Sequence, residues 1–489
     1  MSDTKLPALE SFLQNFPTIK YISPVSPEYP TARKVFKSDR PDNPLAIVQP
    51  QSPSDLCALI KYAKSQSLQF TIRCGGHNLE GRVLVEGALL IDIRALSAVT
   101  IAPDRQTATV QGGILQQELG NKLWAEGLAT PIGSIPSAGY VGWATYGGYG
   151  PFSGHWGLGV DQILGATIIN HDGEILKADE SLLRGIRGAG GLFGVTLDLT
   201  IKLYPMTSLL AGPIIFDSTD IVKSVVNFNK AYSELQRSEE LPPQLTIQQI
   251  AFNSPHGRTH GVIFVWSGSD IEEGQRWSEK IASIHPVVAN AVAVTTIPKW
   301  FAGTAALVPP TGSGAAYTVN ASEISPAIAE SIGRSLDQMP SDPGTMLSIH
   351  QLRGQLSSLS SKNPINYRSK QCSVPFPAEE QSTTAGSGGL PSVFETRTPH
   401  YMLELIGFST IDATADTSRA WARRTEQEVK QADPRSVLST VYVSLFNTTG
   451  LSSAEVLEKS YGSTTQTLKD LKATFDPENV FSLAVPSLH

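Results

Sequence analysis

The sequence predicts an α+β protein built in two structurally different parts, and three observations carry that expectation. Residues 45–125 alternate short strand-like runs with helical ones across short connections. Three glycine-rich tracts punctuate the first 210 residues: one around Gly75, one from Gly133 to Gly159, and one from Arg187 to Gly194. From residue 211 to about 445 the texture changes to strand-like runs separated by amphipathic helical ones.

Leu45–Val48 reads as a strand closed by Pro50, and Ser52-Pro53-Ser54-Asp55 as a helix start. The helix that follows places Leu56, Leu59, Ile60 and Ala63 at i, i+3, i+4, i+7 spacing, which makes one apolar face. Gln69–Arg73, Ala88–Ile93 and Thr107–Gln111 are further strands, and Leu115–Ala125 is a helix. The strand Ile163–Asn170 turns through His171-Asp172-Gly173-Glu174. Another strand, Leu197–Leu203, ends at Tyr204-Pro205. Beyond residue 211 the strands are Leu245–Phe252, Gly261–Trp266, Met346–Gln351 and Tyr401–Phe408, with helices at Ile221–Leu235 and Ala327–Met339. Gly303–Gly314 and Pro375–Ser392, rich in Pro, Gly and Ser, read as surface loops or lids. Ala454–Phe481 closes the chain as a helix stopped at Phe475-Asp476-Pro477.

Composition narrows the function classes. Of 489 residues, 40% are hydrophobic and 17% charged, which suits a packed globular protein and not a disordered one. The net charge is −7 with no basic run, so nucleic acid is not an expected partner. Residues 1–21 hold only short apolar clusters broken by Glu10, Gln14, Asn15 and Pro17, unlike a secretory leader. No apolar run is long enough to span a bilayer. The expectation is a soluble, cytoplasmic enzyme without a membrane partner. Cys57, Cys74 and Cys372 are odd in number and far apart, which predicts free thiols, and no CxxC or CxxH spacing suggests a metal.

The glycine tracts carry the chemistry. Thr71-Ile72-Arg73-Cys74-Gly75-Gly76-His77-Asn78 runs a strand into two glycines, where the backbone can turn sharply and aim N–H groups at an anion. Taken alone, Gly-Gly-His is more often a plain tight turn. The second tract mixes glycines with Trp143, Tyr146, Tyr149, Phe152 and Trp156, as backbone lying against a flat, extended ligand would. Neither it nor Arg187–Gly194 has the strand–turn–helix setting and trailing acid of a dinucleotide-binding GxGxxG.

Further motifs follow in order: Tyr29, Pro50-x-Ser52-x-x-Asp55, Ile91-Asp92-Ile93, Gln111-Gly112-Gly113, Gly157-Leu158-Gly159-Val160-Asp161-Gln162, Tyr461-Gly462, Leu471-Lys472 and Asp476-Pro477-x-Asn479-x-Phe481. Together with the glycine tracts they resemble the FAD-linked oxidases of the vanillyl-alcohol-oxidase superfamily, in its berberine-bridge-enzyme-like branch. The resemblance covers nearly the whole chain. It implies a two-part FAD-binding domain, residues 1–210 and 446–489. Between them it implies a substrate-binding domain, residues 211–445, whose antiparallel sheet is flanked by helices.

It also implies that His77 carries the FAD through a single 8α-histidyl bond, since Ile135 stands where doubly linked members have a cysteine. Arg73, Cys74, Gly75, Gly76 and Asn78 would hold the pyrophosphate. Ser137, Ala138, Gly139, Gly142, Tyr146, Gly147, Gly148 and Gly150 would line the ring and ribityl chain. Val195 would lie near the adenine, and Asn479 of the C-terminal signature would complete the site. Tyr140 and Val141 stand where the family has smaller residues beside the oxygen-reactive face.

The implied activity is hydride transfer from a small organic, natural-product-type substrate to FAD, with dioxygen as the acceptor and hydrogen peroxide as product, in the style of fungal secondary metabolism. Two alternatives remain: a flavin dehydrogenase with another acceptor, and a non-redox cyclase or pericyclase with structural FAD. Candidate catalytic residues are Tyr367, beside Arg368, and Tyr442, expected on the last strand of the substrate domain. Glu404, with Leu403 and Leu405 on the opposite face, His350, His155 and Tyr140 join them. Neither the substrate nor the oligomeric state is named by the sequence.

Overall fold

The computed structural model describes residues 5–353, 390–486 and 488. Its first sheet orders the strands Lys20–Ile22, Ala46–Gln49, Leu89–Asp92 and Phe70–Arg73, the last three mutually parallel. The helix Pro53–Ser65 crosses over from Ala46–Gln49 to Phe70–Arg73, and Leu89–Asp92 lies between these two strands in the sheet. Ser52 accepts from the Asp55 N–H while Asp55 accepts from the Ser52 N–H, a reciprocal cap that fixes the helix start. Its Leu56, Leu59, Ile60 and Ala63 face pack with Ala46, Val48, Leu89 and Ile91. At the end of the sheet Arg73 stands in register with Asp92, and the buried pair closes at 2.6 Å.

The second sheet is antiparallel throughout, in the order Val99–Ile101, Thr107–Gln111, Val195–Lys202, Ile163–Ile169, Ile175–Lys177. The expected turn after Ile169 is present: the Asn170 N–H donates to the Glu174 carbonyl at 2.9 Å, and Gly173 takes φ +69°.

The third sheet is the largest. Its path runs Val287–Asn290, Leu209–Phe216, Gly257–Trp266, Leu245–Ser254, Thr345–Leu352, His400–Ser409, Ser313–Ala321, and Ala293–Thr295 also pairs with Leu209–Phe216. Strand side chains alternate between faces. Leu347, Ile349, Leu403 and Leu405 therefore share one core with Ile328, Ile332 and Leu336 of the helix Pro326–Asp337 and Trp421 of Ala415–Ala432. The other face looks back towards the glycine tracts. The α+β class with an antiparallel, helix-flanked sheet is the observed fold, and among the described residues no helix is long and apolar enough to cross a membrane.

Several elements differ from the expectation. The strands Leu209–Phe216 and Ser313–Ala321 and the helix Glu180–Ala189 are additions. The loop expected at 303–314 begins inside the helix Ile297–Ala305 and ends inside a strand. The closing helix is two helices, Ser453–Tyr461 and Thr465–Phe475, because Gly462 takes φ +45°, a left-handed conformation that breaks the run at low cost only for glycine. Tyr442 lies in a loop and not on a strand. After Val437 makes an isolated bridge to Ala321, the Val441 N–H turns to the Lys459 carbonyl, and Leu445 and Phe446 fold back on the Tyr442 carbonyl.

The C-terminal segment bonds the first part through Lys472, which one buried carboxylate of the same segment holds in place. Asp476, 1% exposed, holds Lys472 at 2.6 Å and accepts from the N–H groups of Val480 and Phe481. Lys472 in turn donates to the Leu192 carbonyl. Removing this carboxylate leaves a buried ammonium and two backbone donors unmatched. Asp476→Ala is expected to cost about 3–5 kcal/mol in urea unfolding, and a loss under 1 kcal/mol would show the latch is dispensable.

Candidate active site

A cavity of about 550 Å³ lies between the glycine tracts and the inward face of the third sheet. Local geometry explains its floor. The strand Phe70–Arg73 runs into Gly75 and Gly76, the latter at φ +68°. A Cβ on Gly75 would fall 2.5 Å from the Gly139 nitrogen and the Ser137 carbonyl, and one on Gly139 would meet Cys74 Sγ at 2.7 Å. The first two tracts thus touch backbone to backbone, a contact only glycine permits. Gly142, by contrast, has nothing within 4 Å of its Cβ position and opens onto the cavity.

His77 projects into this space. Its Nε2 lies 2.8 Å from Ser137 Oγ, its ring stacks on Phe36 at 5.3 Å, and Nδ1 is unengaged among the described residues. Burial pushes its pKa down to about 4, so the imidazole is neutral at ordinary pH. Arg73, Cys74, Gly75, Gly76, Asn78, Ala138, Gly139, Gly142, Tyr146 and Val195 line the same cavity.

Other expected cofactor residues are elsewhere. Ser137 reaches the site only through His77. A Cβ on Gly147 would strike the Phe394 and Tyr442 rings, the Gly148 N–H donates to Tyr442 Oη at 3.3 Å, and Gly150 sits against the Ile132 carbonyl. These three glycines make room for neighbouring protein groups. Asn479, at φ +51°, shapes the turn that brings Phe481 to the wall.

The candidate catalytic residues divide similarly. Glu404 and His350 face the cavity from neighbouring strands, with 3.2 Å between Glu404 Oε2 and His350 Nε2. Ser348 Oγ lies 3.1 Å from the same His350 nitrogen, and Gln248 Nε2 donates to Ser348 Oγ at 2.8 Å. Tyr442 also lines the wall, and burial, with the Glu404 charge adding, pushes its phenol up to about 12.

Tyr140 and His155 do not line the cavity. Tyr140 opens the short helix Tyr140–Ala144, which turns its ring into the core beside Trp143 and leaves Val141 at the wall. His155 is held by Ser267 at 2.9 Å and stacked on Trp156. Tyr367, with Arg368, lies outside the described residues. Sequence reasoning did not pick out Gln248, Ser348 and Trp300. The first two follow from strand alternation once a neighbour on the same face is known.

The cavity fits FAD on its own evidence. Its floor is glycine backbone with an open Cβ position at Gly142. Its wall holds the Trp300 indole N–H, which is buried without an acceptor among the described residues. Both call for a flat group that carries acceptors.

Fold and cavity together define a flavin-binding oxidoreductase. A family model described as an FAD binding domain matches residues 44–179. An FAD-linked oxidoreductase of Gibberella zeae is 26% identical over 478 residues, 97% of this chain and 86% of its own length. The berberine bridge enzyme of Eschscholzia californica shares the fold at TM-score 0.75 and 18% identity, over 98% of this chain and 99% of that one. A xylooligosaccharide oxidase of Myceliophthora thermophila, bound to xylobiose, does so at TM-score 0.78 and 19% identity, over 99% and 100%. The chain therefore carries an FAD binding domain, is similar along its length to an FAD-linked oxidoreductase, and shares the fold of the berberine bridge enzyme.

The open position at Gly142 gives a direct test of the floor. Gly142→Leu has space in the flavin-free protein, so the thermal midpoint of that form is expected to hold. Flavin binding, read from the ratio of visible to 280 nm absorbance, is expected to weaken by about 1–3 kcal/mol through overpacking. Full flavin content in the variant would place the ring elsewhere.

Proposed function

We propose that the protein is an oxidase that takes hydride and a proton from a small organic alcohol or amine, with FAD bound covalently at His77. One observation carries the reading: the Glu404–His350 pair and His77 open onto a single cavity, so an acid–base group and a cofactor anchor face one reacting space. The bound flavin supplies a two-electron hydride acceptor that dioxygen reoxidises with release of hydrogen peroxide.

The protein's share is positioning and proton transfer. Glu404 takes the proton of the substrate hydroxyl or amine as the carbon gives up hydride. His350 holds the carboxylate through Nε2 at 3.2 Å, and Ser348 Oγ lies 3.1 Å from the same nitrogen. Tyr442, its phenol kept neutral by burial, offers a second polar edge to the same space. Ser137 engages His77 Nε2 and leaves Nδ1 as the nitrogen available for the flavin bond. A neutral imidazole is the nucleophilic form, and burial supplies it. With Tyr140 turned into the core, Val141 is the side chain that dioxygen would pass at this wall.

Glu404→Gln is expected to lower kcat/KM by about 10²–10⁴-fold, the range of a positioned base, with flavin content unchanged. Normal turnover by that variant would move the base to another residue. For His77, acid-precipitated wild-type protein is expected to stay yellow and His77→Ala to release all its flavin. Reconstitution of the flavin-free protein adds a sign. Burial disfavours the imidazolium, so attachment should proceed undiminished from pH 8 to 6 and fall only as pH approaches 4. A midpoint at about 6.5, the unperturbed value, would mean that His77 is solvated when it reacts.

A further inference from the structure

Phe36 is the residue at which the His77 turn and the third sheet meet. Its N–H donates to the Gly76 carbonyl at 3.0 Å, and its carbonyl accepts from the Gly312 N–H at 2.9 Å. The next residues extend the junction. The Ser38 N–H donates to the Gly312 carbonyl at 2.9 Å, and Asp39 pairs with Arg419 and accepts from the Gly314 N–H, each at 3.0 Å. The Phe36 ring is buried and touches two others. It stacks on His77 at 5.3 Å with 25° between the planes, and it packs T-shaped against Phe408 at 5.2 Å.

His77 needs such a neighbour. The χ2 torsion of a histidine is broad, so one hydrogen bond leaves the plane of its ring undetermined. Ser137 at Nε2 supplies that one bond, and Nδ1 has no partner among the described residues. Attachment at Nδ1 requires its lone pair, which lies in the ring plane, to point at the flavin 8α carbon. A flat ring stacked on one face of the imidazole fixes that plane. An aliphatic side chain of similar volume fills the space and leaves the plane free.

We infer that Phe36 is a positioning residue for flavin attachment: its ring holds the His77 imidazole in the plane from which Nδ1 meets the 8α-methyl carbon. The inference rests on the reading of His77 as the covalent anchor. In that step the methyl carbon exchanges one C–H bond for a bond to Nδ1. The methyl proton and the imidazole proton balance the two electrons that stay on the flavin. Dioxygen takes both protons and both electrons to give hydrogen peroxide.

Reconstitution of the flavin-free protein with FAD tests it, because binding and attachment are read separately on one sample. Visible absorbance after removal of free FAD gives the flavin bound, and the colour that stays with acid-precipitated protein gives the flavin attached. In Phe36→Leu bound flavin is expected to match wild type. The rate of attachment is expected to fall about 10²-fold, the cost of a reacting group misplaced by about 1 Å. Phe36→Tyr keeps the flat ring and is expected to attach at the wild-type rate. Where Phe36→Leu fails to fold, Phe36→Met fills the space without a flat face and is expected to be slowed likewise. Attachment at the wild-type rate in Phe36→Leu or Phe36→Met, or a rate in Phe36→Tyr as slow as theirs, would overturn the inference. Failure of the anchor reading looks different: wild-type protein then releases its flavin on acid precipitation, or His77→Ala keeps it.

Discussion

The molecule depends on one close approach, that of the backbone at Gly75 to the backbone at Ser137 and Gly139. The contact joins a turn leaving the parallel sheet to a tract more than sixty residues on, and it leaves no room for a side chain on either glycine. Because the two backbones meet there, the Ser137 hydroxyl arrives beside His77 and Gly142 faces open space. The anchor and the floor of the cavity are therefore consequences of one packing constraint. The buried Arg73–Asp92 pair fixes the strand end from which the turn departs, and it also places the Ile93 backbone, whose N–H bonds the Arg73 carbonyl.

The opposite wall follows from a different rule. A strand has two faces, and the helices on the outer face of the large sheet bury one set of side chains. Leu403 and Leu405 are committed to that core, so Glu404 between them must point to the cavity. Met346, Ser348 and His350 obey the same alternation against Leu347 and Ile349. The acid–base cluster needs no special backbone. It needs only that polar residues occupy inward positions on adjacent strands in register.

These two rules explain what could be read from the sequence. The glycine tracts were legible because the constraint they satisfy is local, and a positive φ or a missing Cβ leaves its mark on the residue itself. His77, Gly75, Gly139 and Gly142 were found in this way, and Glu404 was found by alternation within a single strand. Pairing was not legible, because Gln248, Ser348 and Glu404 become neighbours only through the order of strands, which periodicity does not encode. Tyr140 was misjudged for a similar reason. It lies between wall residues in the chain, but a helix starting at Gly139 rotates it into the core. Gly147, Gly148 and Gly150 show the converse, since the same residue type in the same tract serves to admit Phe394, Tyr442 and the Ile132 carbonyl.

That last group bears on how the two walls keep their distance. The Gly148 N–H bonds Tyr442, and the neighbouring Tyr149 Oη lies 3.0 Å from His400 Nε2 at the head of the strand that carries Glu404. His400 Nδ1 faces the Thr398 carbonyl at 2.7 Å, which can only accept, so Nδ1 carries the proton and Nε2 accepts from the tyrosine. Burial keeps the ring neutral and the arrangement stable. Arg397, three residues upstream of His400 on the approach to that strand, pairs with Asp161 across the same junction at 2.5 Å. These bonds join the glycine tract to the strand of the base at its first residue, four positions before Glu404. A hydride donor must sit about 3–3.5 Å from its acceptor while its proton reaches the base. The separation of floor and base is therefore a quantity the fold has to hold. It is held by buried, directional hydrogen bonds at the junction, where apolar packing alone would let the two walls slide.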